Sequence, residues 1–260
     1  MYRFFVSKDQ MLQAPVVIQG EDYNHIHSVL RLKRGEEVLL CAEDDKEYLC
    51  SIEGYNEEQQ QVLLRVVDIF GNNRELPARM VLFQGLPKGD KMEWIIQKAV
   101  ELGVSEIVPV SMKRCVVKLD EKKAGKKVER YNSIVLSAAK QSKRGKIPTV
   151  TSVMSMKEAM AYGKELEMLL VPYELAGGME ISKKRLHEAA GKSSIGIFIG
   201  PEGGFDPEEV TMIESLGGYQ ISLGHRILRT ETAGMVVLSL LMFDMENDEN
   251  DGGKIDGSLL

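Results

Sequence analysis

Ile195-Gly196-Ile197-Phe198-Ile199-Gly200-Pro201-Glu202-Gly203-Gly204-Phe205-Asp206-Pro207-Glu208-Glu209 is the stretch on which the fold turns. The apolar run Ile195 to Ile199, bounded by glycine, predicts a strand buried on both faces. A glycine-rich loop follows, and then a helix start. Asp206 suits the N-cap, Pro207 the first helical position, and Glu209 the acid position of a capping box. Open α/β sheets place ligands at such strand–loop–helix junctions, outside the carboxyl end of a strand. Glycines let backbone amides approach a ligand without side chains in the way. A plain βα turn fits the same local pattern.

A second loop of the same kind lies about twenty residues on, in Ile221-Ser222-Leu223-Gly224-His225-Arg226-Ile227-Leu228-Arg229-Thr230-Glu231-Thr232-Ala233. Here a strand ends at Leu223, a glycine turn follows, and two arginines precede a helix. Thr230 is placed to cap that helix, with Glu231 in its first turn where the helix dipole favours acids.

Outward from these loops the chain alternates strands and helices. Met80 to Phe83, Ile107 to Val110, Glu167 to Val171, Ile195 to Ile199 and Tyr219 to Leu223 read as strands. Asp90-Lys91-Met92-Glu93 reads as a capping box opening a helix that ends at Gly103. Pro109 suggests an edge or a bulge. Further helices are expected over about 128–141 and 231–245. This alternation predicts an α/β fold: a mostly parallel sheet with helices on both faces. Residues 1 to about 70 differ. Val16-Val17-Ile18, Glu37 to Cys41, Tyr48 to Ile52 and Gln61 to Val67 are short strands, with a short helix over Asp22 to Leu30, as in a small β-barrel. The polar stretch Gly71 to Pro77 reads as a linker. The expected domains are 1–72 and 73–245, followed by an acidic tail at 246–260.

The 260 residues are 43% hydrophobic and 28% charged, ordinary for a globular protein. No apolar run is long enough for a membrane span, and the N-terminus does not read as a signal peptide. Three cysteines without paired metal spacing fit a reducing cytoplasm. The net charge of −6 hides an uneven distribution. Lys113 to Lys146 holds twelve Lys/Arg against three acids, whereas Asp244 to Leu260 holds six acids and one lysine. A basic stripe is the electrostatic footprint of a phosphate backbone, and also the look of a solvated helix face.

Several other chemistries lack their defining residues. Gly191-Lys192-Ser193 has Leu186 where a phosphate-binding loop needs glycine. His187-Glu188 has Gly191 where a zinc protease needs its second histidine. Gly200 starts no dinucleotide fingerprint, no serine elbow is present, and His25, His27, His187 and His225 form no metal set. No metal is expected.

Taken together, the two glycine loops resemble the SPOUT class of RNA methyltransferases, and more narrowly the RsmE family, which methylates uridine N3 in 16S (small-subunit) ribosomal RNA. The similarity runs along most of the chain. It includes the segment His27 to Glu36, the helix Lys88 to Val104 (KGDKMEWIIQKAVELGV), the segment Ala138 to Pro148, GPEGGF at 200–205 and LGHRILRTETA at 223–233. Lys140 and His225 depart from the commonest family residues.

The resemblance implies a PUA-like N-terminal barrel that binds RNA, and a C-terminal SPOUT methyltransferase domain with a trefoil knot. It implies S-adenosylmethionine (AdoMet) as cofactor, held by Leu170, Val171 and Pro172, by Gly200, Pro201, Glu202, Gly203 and Gly204, and by Leu223, Gly224, Ile227, Leu228 and Thr230. Arg229, with Arg226 as alternate, is the expected cation beside the uracil oxygens, and Glu202 the expected general base. Arg3, Arg31, Lys33, Arg34, Lys143 and Arg144 are expected RNA-backbone contacts. The partners implied are 16S rRNA or the small subunit and a second copy of the chain, in the cytoplasm and not on a membrane. Two other readings share this fold: a methyltransferase acting on another RNA such as tRNA, and a non-catalytic RNA-binding protein.

Overall fold

The computed structural model describes residues 1–44, 46–72 and 74–246. Among the described residues the chain divides into two compact units, one comprising Met1–Glu75 with Lys143–Lys146, the other Leu76–Ser142 with residues 147–246. All but the first residue of the acidic tail expected at 246–260 lies outside the described residues.

The first unit contains β1 (Arg3–Phe5), α1 (Lys8–Met11), β2 (Val16–Gln19), α2 (Glu21–Asn24), β3 (Glu37–Cys41), β4 (Lys46–Asn56) and β5 (Gln61–Gly71). A π-helical turn, His25–Val29, continues α2. The strands form one sheet in the order β1-β3-β4-β5-β2, with β1 parallel to β3 and the other pairs antiparallel. Alternate residues point inward: Val38 and Leu40, Cys50 and Ile52, Val62 and Leu64 are buried together with Phe4, Ile18 and Ile26. Register shifts near Cys50 and Gly54 bend the long β4–β5 pair.

Two arginines expected on the surface belong to this unit's interior. Arg3 is 8% exposed; its guanidinium reaches Glu47 Oε1 at 2.9 Å and the Arg144 carbonyl at 3.3 Å. Arg144 is 4% exposed and bidentate on Glu75, at 2.9 and 2.7 Å, while the Gly145 amide donates to the same carboxylate. Buried charges require such pairing. The expectation of Arg3 and Arg144 as RNA-backbone contacts is therefore corrected: their charge is spent holding residues 143–146 on the unit.

The second unit contains β6 (Arg79–Gly85), α3 (Lys91–Glu101), β7 (Glu106–Ser111), α4 (Glu121–Gln141), β8 (Thr149–Val150), β9 (Met154–Ser155), α5 (Met156–Gly163), β10 (Met168–Pro172), α6 (Met179–Ala190), β11 (Ser194–Ile199), α7 (Pro207–Ser215), β12 (Tyr219–Ile221) and α8 (Thr230–Met245). Every strand pair is parallel, in the order β12-β10-β11-β6-β7-β8, with β9 also on β7. Val81 and Phe83 face one side, where Phe83 stacks on Phe198 at 4.2 Å beneath α5 and α7. Leu82 faces the other, against Gly234 of α8, with α3 and α6 packed on α8. Residues 195–199 are buried throughout, as the apolar run predicts. Pro109 sits between the residues of β7 that pair with β8 and those that pair with β9, so its missing N–H costs no ladder bond.

Two cap expectations differ from what is observed. Asp206 caps α7 as read, in a full capping box with Glu209. Asp90 makes no capping bond; Glu93, its expected box partner, instead pairs with Arg130 of α4 at 2.8 Å. Nor does Thr230 cap α8. Arg229 holds the N-cap position, and Thr230 is the first helical residue, buried.

Candidate active site

Three loops leave the carboxyl ends of β10, β11 and β12, the edge at which parallel sheets collect ligands. They enclose a cavity of about 480 Å³, within the usual range for cofactor-sized ligands. Its wall includes Pro172, Tyr173 and Glu174 after β10, residues 199–205 after β11, and residues 222–230 after β12. Lys91 of α3 and Ala233 of α8 complete the lining.

The glycines are there for backbone geometry. A Cβ on Gly200 would lie 3.0 Å from the Gly204 carbonyl carbon and 3.1 Å from the Phe205 amide, so a side chain there would crowd the backbone where the loop folds back on itself. Gly224 has φ of 107°, a conformation that side chains disfavour, and open space where a Cβ would stand.

A buried relay ties the loops to the middle of the sheet. The Thr230 hydroxyl donates to the Gly200 carbonyl at 2.6 Å and accepts from Gln84 Nε2 at 2.9 Å. Gln84, at the end of β6, is fully buried. Thus the first turn of α8, the glycine loop and the central strand share one hydroxyl. A second tie is ionic. Lys91 Nζ lies 3.0 Å from Glu202 and 3.6 Å from Glu231, and the Lys88 amide donates to Glu202 at 3.0 Å. Burial pushes the Glu202 carboxyl up, but the Lys88 amide and the Lys91 ammonium outweigh it, so the group is held below the usual carboxylate range. On the far side of the loop, the buried Glu209 accepts the Asp206 amide at 3.0 Å and the Lys113 amide at 2.8 Å.

Most of the expected cofactor residues come together here. Pro172, Gly200, Pro201, Glu202, Gly203, Gly204, Leu223, Gly224, Ile227, Leu228 and Thr230 all line the cavity, as do Arg226 and Arg229. Leu170 and Val171 do not; both are buried in β10 beneath it. Arg226 and Arg229 are exposed and have no carboxylate partner among the described residues. Of the expected RNA contacts, Arg31, Lys33, Arg34 and Lys143 are exposed on the first unit. Sequence reasoning missed Lys91, read as an ordinary helix residue, and Tyr173, Glu174 and His225. Tyr173 and Glu174 were within reach of the strand-end rule, since they directly follow Pro172.

Residues 74–242 match the model of an RNA methyltransferase domain, and residues 18–63 that of an RNA methyltransferase PUA domain. The ribosomal RNA small subunit methyltransferase E of Bacillus subtilis (strain 168) is 37% identical, over 95% of this chain and 98% of its own length. The chain belongs to the RsmE family of RNA methyltransferases. Solved structures in the same group include the ribosomal RNA small subunit methyltransferase E of Neisseria gonorrhoeae bound to S-adenosylmethionine, 27% identical with a TM-score of 0.77, covering 94% of this chain and 97% of that one. A Legionella pneumophila protein in complex with the same cofactor is 31% identical with a TM-score of 0.78, covering 93% and 96%.

Proposed function

We propose that this RsmE-family chain transfers the methyl group of AdoMet to N3 of a uridine in 16S ribosomal RNA. The observation that carries the reading is the cavity at the three strand ends, with glycine-shaped walls and, on its lining, two arginines that have no carboxylate partner among the described residues. Gly200, Gly203, Gly204 and Gly224 offer backbone donors and acceptors at close range, and Leu223, Ile227 and Leu228 offer apolar surface for the adenine. Bound AdoMet would supply an already activated methyl group: the bond from N3 to that methyl would form as the sulfonium carbon–sulfur bond breaks, and the N3 proton would pass to solvent water. The protein's task is then to orient the uracil and to stabilise the charge it gains.

Arg229 is assigned the uracil oxygens, with Arg226 as the neighbouring cation. Glu202, the candidate base, is already tied to Lys88 and Lys91; its assigned role here is to brace the glycine loop against α3. A uridine inside paired RNA presents no accessible N3, so the target is single-stranded or flipped. Arg31, Lys33, Arg34 and Lys143 are assigned to phosphate.

The family's trefoil knot and homodimer belong to the same reading, as does the cytoplasm, where ribosomal RNA is found. What supports a dimer is an unusual helix. α8 is apolar around its circumference, yet Leu240 is 45% and Phe243 82% exposed, and Trp94 on the adjoining α3 is 45% exposed.

The test pairs calorimetry with AdoMet and mapping of methylated uridines in 16S rRNA from cells lacking the protein. Loss of one N3-methyluridine, restored by the wild-type gene, is expected. Failure to bind AdoMet would remove both enzymatic readings, and a change confined to tRNA would move the substrate.

A further inference from the structure

A run of basic residues that the cavity does not use lies on one arm of the second unit. From β7 the chain crosses the glycine loop: the Arg114 guanidinium donates to the Gly203 carbonyl at 3.2 Å, and Lys113 reaches Asp206 at 3.2 Å. It then enters α4, where Asp120 caps the helix by accepting from the Lys123 amide. Along this run Lys118, Lys122, Lys123 and Lys126 are exposed, and Lys127 leans over the Tyr131 ring. Lys123 pairs with Asp120. Lys118, Lys122, Lys126 and Lys127 have no carboxylate partner among the described residues.

This half of α4 is poorly built for its own stability. Lys122 and Lys126 stand one turn apart, and so do Lys123 and Lys127; like charges at that spacing repel. Gly125, exposed between them, lowers helix propensity further. The second half differs, with Tyr131, Val135, Ala138 and Ala139 buried. A segment whose lysines repel one another and lack carboxylate partners among the described residues, in a chain of net charge −6, is suited to a polyanion. Residues 111–130 contain no aromatic side chain to stack on a base, and lysine is a point charge without a bidentate fork. The contact is therefore to phosphate and independent of sequence.

We propose that Lys118 and the front half of α4 form a phosphate-gripping arm for the substrate RNA. The arm continues from the loop that touches Gly203, and lies far in sequence from Arg31, Lys33 and Arg34 of the first unit. The inference rests on the RNA methyltransferase reading above and adds a second anchoring surface to it.

The test is the Lys122→Ala/Lys126→Ala double variant in the full-length protein. Binding to a 16S rRNA fragment is followed across a potassium chloride titration, beside wild type and a Lys183→Ala/Lys184→Ala control on α6, where both lysines pair with glutamates. With about 0.7 released counterions per contact on single-stranded RNA, the slope of log K against log salt is expected to fall by about 1.4, which makes binding roughly 25-fold weaker near 0.1 M salt. AdoMet affinity by calorimetry, which reports an intact fold, is expected to match wild type. An unchanged slope in the double variant, or an equal loss in the α6 control, overturns the arm. If wild type methylates rRNA and the double variant is indistinguishable from it, the arm alone falls. If wild type neither binds nor methylates rRNA, the proposed function falls with it.

Discussion

Thr230→Val removes one hydroxyl and keeps the shape of the side chain, so its cost can be worked from the relay. Two hydrogen bonds are lost, to the Gly200 carbonyl and from Gln84 Nε2. Gln84 Nε2 keeps its bond to the Gly85 carbonyl at 3.0 Å, so that group is only partly orphaned. The Gly200 carbonyl loses the donor that holds it in place. An orphaned buried acceptor costs about 1–3 kcal/mol and the second lost bond about 1 kcal/mol, giving about 3 kcal/mol in all. For a unit of this size that is a fall in Tm of about 6–12 °C. If half of this loosens the glycine loop before ligand arrives, AdoMet affinity drops about tenfold, since 1.4 kcal/mol is a factor of ten. Thr230→Ser keeps the hydroxyl and loses one methyl, about 0.8 kcal/mol, and is expected to retain wild-type AdoMet affinity. The assay is urea unfolding of all three proteins, with calorimetric titration of AdoMet. A valine variant within about 0.5 kcal/mol of wild type, or a serine variant as damaged as the valine one, would refute the relay as the anchor of the loop.

Arg229→Ala is expected to bind AdoMet normally and to lose about 10²–10³-fold in kcat, the usual cost of one charge-stabilising donor; unimpaired turnover would remove Arg229 from the chemistry. Glu202→Gln is expected to keep measurable methyl transfer while raising KM for AdoMet, whereas a loss confined to kcat would restore Glu202 as the base. The Glu202 carboxyl is held low in the folded protein, so its contribution to loop stability is full at neutral pH and is lost as pH falls through its folded value. Wild-type AdoMet affinity should therefore hold across neutral pH and drop below the ordinary carboxylate range, with a flatter profile in Glu202→Gln. Leu240→Glu/Phe243→Glu is expected to shift a dimer to monomer in analytical ultracentrifugation; an unchanged sedimentation coefficient would place the subunit contact elsewhere.

The features legible in the sequence are those fixed by neighbours in the chain. Ile195 to Ile199 can bury every side chain only inside a sheet, and Asp206-Pro207-Glu208-Glu209 carries its own N-terminus, so strand, loop and helix emerge as read. The cavity's glycines were legible for the same reason. Thr230 was half legible. Its place at the helix start is local, but its bonding is decided by Gln84, 146 positions away. Asp90 and Glu93 satisfy the capping-box pattern, yet Glu93 finds Arg130 on another helix and the box does not form. Lys91 escaped notice because its partners are distant in sequence: Glu202 lies on the glycine loop and Glu231 in the first turn of α8.

Charge is where the local reading is weakest, because a cation's role depends on whether a carboxylate reaches it. The basic run from Lys113 to Lys146 looks uniform in the sequence, and the fold divides it. At its far end Glu75, some 70 residues earlier, takes Arg144 in a bidentate pair and makes it structural. Arg3 meets the same end on Glu47. At the near end the acids are few and Asp120 is engaged at the helix cap, so lysines one helical turn apart are left facing water and each other. The same residue types in one run thus divide into a buried clasp and an exposed arm. The difference is whether folding brings a glutamate within reach, which composition cannot register and which the α4 substitutions would measure.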